Sequence, residues 1–312
     1  MPWKTGYTIS DEQAMSDDDV RWPKGARCYF GVTVDLAPAS GPGGITPEDL
    51  KSSASYYQMH SGLDAVRSIL QKHRLRATIA VPGYIAALYP DVIASLRDEG
   101  HEIAAHGLAH EDVSTLSYDD ELSRLQQTTA LVAEAAGERP TGWFSLSRPG
   151  DKFAVGAISP NTVDLLLNEG YNYLGNSPAD DRPHYWVSDP DTSRSILAMP
   201  YYYHFDDQFF LMFPARGTGL ENGDALERNW LAELAAQYRR GLSFNMTVHP
   251  RSIAWPNRMQ MFDRVLSHAA TLPALWNATA RDCADYWSTT YPASSTLHLE
   301  PSIWTSYPDS IE

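Results

Sequence analysis

Short β-branched or aromatic runs alternate along this chain with longer segments of helical periodicity, which leaves few folds open. The first run, 28–36, precedes apolar residues at helical spacing between Leu63 and Leu70, and a second run follows at 77–81. Apolar residues three and four apart indicate an amphipathic helix, whereas short runs rich in valine, isoleucine and threonine indicate strands. Alternation of this kind predicts a mostly parallel sheet covered by helices.

The alternation continues to about residue 287. Further strands are predicted at 102–105, 143–146, 171–174, 195–197, 209–213 and 242–248. Further helices are predicted near 85–96, 118–136, 160–168, 226–239, 259–270 and 280–287. Repeated units of this size favour an α/β sheet that is closed, or nearly closed, into a barrel. With no repeat of fixed period and no linker, we expect one domain over 1–312: an N-terminal extension (1–27), the barrel (28–290) and a C-terminal tail (291–312).

Charge and composition exclude several kinds of partner. The 312 residues include 24 lysines and arginines against 39 aspartates and glutamates, a formal net charge of −15, and no basic cluster longer than two residues. Nucleic acid and anionic membranes favour basic surfaces, so neither is expected as a partner. No run approaches the ~18 apolar residues of a membrane span. Without an apolar leader, and with Cys28 and Cys283 as the two cysteines, we expect a cytoplasmic protein with reduced thiols.

Three polar residues stand where predicted strands end. Asp35 lies at the end of the first strand, His106 follows residues 102–105, and His249 follows residues 242–248. Because parallel barrel strands open their carboxyl ends on one face, these side chains are expected to lie close together. Asp35 is interpreted as a general base or metal ligand, and His249 as a general acid or electrostatic stabiliser. A turn aspartate and a buried structural histidine are the alternatives.

Two further motifs carry polar side chains. His106 and His110 form an HxxxH motif, which in a helical turn would place both imidazoles on one face, spaced to share a metal ion. Two unrelated loop histidines bonded to backbone are the alternative. Asp181 and Arg182 belong to a charge cluster at 180–183 that could orient a catalytic histidine or form an ion pair in a turn.

Together these segments resemble the polysaccharide deacetylase superfamily, the NodB-homology fold, and within it the branch that contains allantoinase-like and cyclic-imide-hydrolysing members. The resemblance covers about 28–287 and is carried by residues 32–35, 77–83, 100–111, 180–183 and 247–250. It implies a distorted (β/α) barrel with a metal, usually zinc, held by an aspartate and two histidines. It also implies that His106 and His110 bind the metal, that Asp35 is the base and that His249 is the acid.

The chain departs from the family pattern at two positions. In metal-dependent relatives the metal-binding aspartate falls just after the base aspartate. In this chain the residues just after Asp35 include Ala37 and no carboxylate. The family arginine is absent after Gly142 unless Arg148 supplies it. Loss of a carboxylate removes both a charge and a donor, which weakens a site for a divalent cation. The substrate contacts expected from the resemblance are Trp143, Arg148, Asp181 and Arg182.

Three outcomes therefore stay open for the metal site. A two-histidine site could be completed by water or by Glu111 or Asp112, the site could work without a metal, or the protein could bind a ligand without turnover. The resemblance implies a hydrolase acting on a non-peptide carbon–nitrogen bond of a small or saccharide substrate, in an amide, imide, ureide or N-acetyl group. Zn²⁺ or another divalent metal is the expected cofactor, and a homo-oligomer is expected from the family. The alternative is a member with a degenerate metal site that binds a ligand or performs metal-independent chemistry.

Overall fold

A computed structural model describes residues 15–39, 41, 43–145, 158–177, 180–189, 192–201, 203–212 and 223–297, together with the backbone of residues 8–9. Its strands are β1 (Thr8–Ile9), β2 (Cys28–Asp35), β3 (Thr78–Val81), β4 (Glu102–Ala105), β5 (Gly142–Trp143), β6 (Tyr173–Ser177), β7 (His184–Asp189), β8 (Arg194–Pro200), β9 (Ser243–Val248) and β10 (Leu275–Asn277). Its α-helices are α1 (Pro47–Leu50), α2 (Ser53–Tyr57), α3 (Leu63–His73), α4 (Gly83–Leu88), α5 (Pro90–Asp98), α6 (Tyr118–Ala136), α7 (Thr162–Asn168), α8 (Asp207–Leu211), α9 (Gly223–Arg240), α10 (Pro250–Ile253), α11 (Pro256–Thr271), α12 (Ala280–Thr290) and α13 (Ala293–Thr296). A π-helical segment, Gln58–Gly62, joins α2 to α3.

The strands form one mixed sheet in the order β1-β7-β8-β6-β5-β4-β3-β2-β10, and β9 also pairs with β2. The pairs among β2, β3, β4, β5, β6 and β8 are parallel, as are those of β2 with β9 and β10, whereas β7 is antiparallel to β8. An isolated parallel bridge, Asp206–Thr247, connects the segment after β8 to β9. The predicted α/β fold is confirmed as a mostly parallel, helix-covered sheet that curls toward a barrel. Among the described residues, no strand ladder joins β8 to β9 to close it.

Side chains of β2 alternate between two environments. Phe30, Val32 and Val34 join the large apolar core that also contains residues of α3, α5, α9 and α11. Tyr29 joins a second cluster with residues of β3, β4, β6 and β8. Because the side-chain period of a strand is two residues, Asp35 lies on the same face as Tyr29. The alternation therefore turns Asp35 away from the helix-covered core.

Aromatic rings and a buried carboxylate fill the space on this inner face. A Cβ added to Gly142 would lie 2.0 Å from Cζ of Tyr173, and one added to Gly175 would lie 2.3 Å from the Phe144 ring. Tyr173 donates its hydroxyl to Glu102 Oε1 at 2.6 Å, and the backbone N–H of Arg281 donates to Glu102 Oε2 at 2.8 Å. Packing of this kind fixes the strands whose carboxyl ends carry the polar residues.

Several predicted elements differ from those observed. The helix predicted near 85–96 is two helices, α4 and α5, because Pro90 cannot donate a backbone hydrogen bond to a continuing helix. The strand predicted at 209–213 is wrong: Asp206 caps a short helix, α8, by accepting a hydrogen bond from the Gln208 backbone N–H. The antiparallel strand β7 was not predicted from the sequence.

Candidate active site

The structure brings Asp35, His106 and His249 together. Asp35 is the last residue of β2, and His106 and His249 directly follow β4 and β9. The Nε2 atoms of His106 and His249 lie 3.0 Å and 3.1 Å from Asp35 Oδ2. All three side chains are buried, so these contacts form in a low-dielectric environment that strengthens electrostatic interactions.

His110 joins the same cluster, although the HxxxH segment is not helical. Residues 106–113 form a loop before α6, and His110 has a left-handed backbone with φ of 54°. Its Nε2 atom lies 4.0 Å from Asp35 Oδ2, and its ring centroid lies 4.2 Å from that of His106. The Nδ1 atom lies 2.9 Å from the carbonyl oxygen of Ala39. When Nδ1–H donates to this carbonyl, Nε2 carries the lone pair and faces Asp35.

The donor set of Asp35, His106 and His110 fits a divalent cation. One carboxylate oxygen and two imidazole nitrogens from these residues lie within 4.8 Å of one another. Among the described residues, the buried Nε2 atom of His110 has no hydrogen-bond partner, a situation that costs about 1–3 kcal/mol for an ordinary polar atom. Burial, together with the neighbouring His106, lowers the pKa of His110 to about 3, so this imidazole is neutral, as a metal ligand must be.

Charges in the cluster favour an ionised Asp35 and a protonated His249. Burial alone would raise the pKa of Asp35, but His106 and His249 hold it well below its usual range. Burial alone would lower the pKa of His249, but the carboxylates of Asp35, Asp206 and Asp207 raise it to about 10. His249 is therefore a cation surrounded by acceptors and can act as a proton donor.

Sequence reasoning missed Asp206 and Asp207, which surround the far side of His249. Asp207 Oδ1 lies 2.7 Å from His249 Nδ1 and also accepts the His249 backbone N–H at 3.0 Å. Asp206 Oδ2 accepts the Tyr201 hydroxyl at 2.7 Å. Asp206 follows the end of β8 by six residues, so the available signal was an acidic pair in the segment after a strand. The acidic pair was overlooked because a strand was predicted at 209–213.

The structure places Trp143, a predicted substrate contact, in an apolar cluster. Its ring packs in an apolar cluster with residues of α6, α7, β6 and β8, edge-on to Tyr171 at a centroid distance of 5.5 Å. The next residue, Phe144, points to the inner face and lies edge-on to His106 at 6.2 Å. Adjacent residues in an extended chain point to opposite faces, so a difference of one position decides which ring reaches the site.

Asp181 and Arg182, also predicted as substrate contacts, form ion pairs, which is one of the two alternatives that the sequence left open. Asp181 pairs with Arg240, and its backbone carbonyl accepts the hydroxyl of Ser243, the first residue of β9. His249 lies six residues further along, or about 20 Å in an extended strand. Arg182 is held by Asp180 and by the backbone of residue 15. These residues tie loops together away from the histidines, and Arg148 lies outside the described residues.

The alternative donors next to His110 point elsewhere. Glu111 accepts the Ala109 backbone N–H at 2.6 Å through Oε2, and its Oε1 lies 3.2 Å from Arg124. Asp112 accepts the backbone N–H of Ser114 at 2.9 Å. These contacts favour Asp35, rather than Glu111 or Asp112, as the carboxylate that accompanies the two histidines.

Comparison with known proteins relates this chain to deacetylases. Residues 53–173 match the family model described as Polysaccharide deacetylase. A peptidoglycan deacetylase of Helicobacter pylori is 23% identical over 268 residues, which cover 77% of this chain and 88% of that protein. The resemblance inferred from the motifs is confirmed.

Two solved structures share the fold. The crystal structure of PuuE allantoinase matches with a TM-score of 0.73 at 22% identity, covering 87% of this chain and 93% of the other. A putative polysaccharide deacetylase from Mycobacterium smegmatis matches with a TM-score of 0.74 at 23% identity, covering 91% and 98%. These matches confirm the predicted barrel of NodB type. No helix in the described part of the chain is both long and apolar enough to cross a membrane.

Proposed function

We propose that this chain, which matches the Polysaccharide deacetylase family model over residues 53–173, hydrolyses the carbon–nitrogen bond of an N-acetyl or related amide group. The observation that carries the proposal is the convergence of three imidazoles on one carboxylate oxygen. Asp35 Oδ2 lies 3.0 Å from His106, 3.1 Å from His249 and 4.0 Å from His110. Such a cluster combines a cation site with a proton donor.

Asp35, His106 and His110 are the proposed metal ligands. They would hold a divalent ion, which would supply a Lewis acid to polarise the carbonyl group of a substrate. Zinc suits a set of one carboxylate and two imidazoles, which leaves room for a further ligand. The orphaned Nε2 atom of His110 supports this assignment, because a buried acceptor without a partner is the atom that gains most from a cation.

A single carboxylate stands where family members are expected to have two. Asp35 Oδ1 accepts the backbone N–H of Ala37 at 2.7 Å, while Oδ2 faces the histidines. We therefore assign both roles to Asp35: it contributes to the cation site and accepts the proton that the attacking water loses. Water adds its oxygen to the carbonyl carbon, and the carbon–nitrogen bond then breaks.

His249 is the proposed general acid. Its Nε2–H faces the cluster, and Asp207 accepts the hydrogen on Nδ1, so the ring is oriented and held in its cationic form. The leaving nitrogen takes a proton from Nε2 as the bond breaks. Without that proton the nitrogen would have to leave as an anion, which is unfavourable near neutral pH.

The substrate class is proposed from the relatives together with the site. The names of the similar proteins include a peptidoglycan deacetylase and an allantoinase. A saccharide carrying an N-acetyl group is the first substrate to test, and a small cyclic ureide or imide is the second. Cys28 and Cys283 are buried and unpaired, which is compatible with the predicted cytoplasmic location. The predicted homo-oligomer stays a prediction.

One observation favours a second candidate, metal-independent chemistry or ligand binding without turnover. Residue 37 is alanine, so the turn after β2 offers one carboxylate instead of two. Elemental analysis of the protein as purified, and again after loading with zinc or cobalt, separates the two candidates. Near-stoichiometric metal supports the proposed hydrolase, whereas metal-free protein after loading contradicts the metal site.

Turnover is then measured as release of acetate from N-acetylated saccharides and as ring opening of cyclic ureides and imides. His249→Gln should retain metal and lose turnover, because the proposed acid is removed and the ligands are not. His268→Gln, an exposed histidine on α11, is the matched control and should retain both. Equal turnover in these two variants would contradict the role of His249.

A further inference from the structure

We propose that Gln58 and Arg251 are positioning residues that hold the turn after Asp35 and thereby direct its carboxylate toward the histidines. The inference rests on the proposed function, since it concerns how the same site is kept in order. It assigns roles to two side chains that donate hydrogen bonds to the backbone of residues 36–38. Each acts through the backbone of residues 36–38.

The orientation of Asp35 depends on the backbone that follows it. Asp35 Oδ1 accepts the N–H of Ala37 at 2.7 Å, so a rotation of that peptide would release the carboxylate. Leu36 donates its own N–H to the carbonyl of Ala80 at 3.1 Å, which extends the strand pairing by one residue. Beyond Leu36 the chain leaves the sheet, and other groups must fix the turn.

Gln58 holds the first carbonyl of the turn. This fully buried side chain donates Nε2–H to the carbonyl oxygen of Leu36 at 2.6 Å. Gln58 begins the π-helical segment, and such segments are uncommon local changes of helical pitch that occur frequently at functional sites. At the end of the segment, a Cβ on Gly62 would lie 3.0 Å from the carbonyl oxygen of Pro250, so glycine permits the close approach of this segment to α10.

Arg251, the second residue of α10, holds the carbonyl group of Pro38. Its Nη1 donates to the carbonyl oxygen of Pro38 at 3.1 Å, and its Nη2 lies 3.5 Å from Gln208 Oε1. Gln208 in turn donates Nε2–H to Asp206 at 3.2 Å. The guanidinium therefore connects the turn after β2 to the acidic residues beside His249. A planar fork can reach two acceptors in fixed directions, which a lysine ammonium cannot do in the same way.

The contacts made by Gln58 and Arg251 flank Ala37 in the chain. Gln58 fixes the carbonyl immediately before the Ala37 N–H, and Arg251 fixes the carbonyl of the following proline. His110 adds a third contact through Ala39. In a site where residue 37 supplies no carboxylate of its own, the backbone N–H of that residue becomes the group that orients Asp35. The side chains that hold this backbone then influence the metal ligand in the manner of outer-shell partners.

The experiment measures cobalt affinity and amide hydrogen exchange in four variants of the full chain. Gln58→Met keeps the side-chain length and removes the donor, and Arg251→Lys keeps the charge and removes the fork. Ser55→Ala, in α2 next to Gln58, and Ser252→Ala, in α10 next to Arg251, are the matched controls, because these buried hydroxyls have no hydrogen-bond partner in the part of the chain that the structure describes. Thermal unfolding of each variant confirms that it is folded.

We expect the two positioning variants to bind cobalt about 10- to 100-fold more weakly than the unmodified protein, with an altered visible spectrum of the bound ion. We also expect the Ala37 amide to exchange about tenfold faster or more, because its acceptor is no longer held. The serine controls should leave both readouts unchanged. Arg251→Met is the substitute if Arg251→Lys retains the Pro38 contact through its ammonium group.

Folded variants with unchanged cobalt affinity and unchanged exchange at Ala37 would overturn the proposal. If the unmodified protein binds no cobalt, the metal site of the proposed function fails, and hydrogen exchange at Ala37 still decides whether Gln58 and Arg251 hold the turn. The proposal would also be overturned if the Ala37 amide exchanged as fast in the serine controls as in the positioning variants. General loosening of α2 or α10 would then explain the effect.

Discussion

Replacing Asp207 by asparagine removes the charge that orients the proposed general acid and alters little else in shape. Asp207 is fully buried, and its Oδ1 atom serves both His249 Nδ1 at 2.7 Å and the His249 backbone N–H at 3.0 Å. The asparagine oxygen can still accept one of these hydrogen bonds. The loss is therefore mainly the negative charge beside the imidazolium.

The size of the effect follows from that contact. A hydrogen bond to a charged group contributes about 1.5–3 kcal/mol. At about 1.4 kcal/mol per factor of ten in rate, Asp207→Asn should lower kcat by about 12- to 140-fold. KM should change little, because the side chain lies behind His249 and has no exposed surface with which to contact substrate. Asp206, whose Oδ1 lies 3.6 Å from His249 Nδ1, limits the loss by keeping a second charge nearby.

The assay is steady-state hydrolysis of the most active substrate from the panel, with metal content measured on the same samples. Asp181→Asn is the control, because Asp181 is paired with Arg240 near the start of β9 and should leave kcat unchanged. If Asp207→Asn retains the turnover of the unmodified protein, an effect on the general acid is excluded and the reasoning is refuted. Loss of metal and turnover together would also refute it, because that result indicates collapse of the site.

Three further outcomes are expected. Ala37→Asp should raise zinc occupancy by restoring a carboxylate beside the site, and unchanged occupancy by elemental analysis would count against an inherited metal geometry. His106→Ala should abolish zinc binding while the far-ultraviolet circular dichroism stays native, and full metal content would show the ligand assignment to be wrong. Burial raises the pKa of Glu102, so the folded state keeps the proton of this carboxyl group to higher pH than the unfolded state does. The free energy of unfolding should therefore fall as pH rises above the ordinary glutamate pKa of 4.5. Glu102→Gln should therefore show a shallower fall in denaturation midpoint between acidic and neutral pH, whatever its absolute stability, and an identical slope would argue against a raised pKa.

Much of the barrel could be predicted because its signals are local. Strand β2 has eight residues, of which seven are buried, and the run that predicts it is apolar and β-branched. Helix α6 begins after a capping serine and ends before Gly137 in a left-handed conformation, both of which are visible in the sequence. Short elements were harder to predict: α8 has five residues, and its phenylalanines favour a strand unless the Asp206 cap is recognised.

The sequence by itself determined which residues stand at strand ends, because the apolar runs leading to Asp35, His106 and His249 are continuous in the chain. It did not determine which loops meet them. Whether Asp181 or Asp207 reaches His249 depends on contacts between segments far apart in sequence, which hydrophobic periodicity does not encode. The choice between Trp143 and Phe144 depends on the exact register of a two-residue strand, where a shift of one position exchanges the two faces of the sheet.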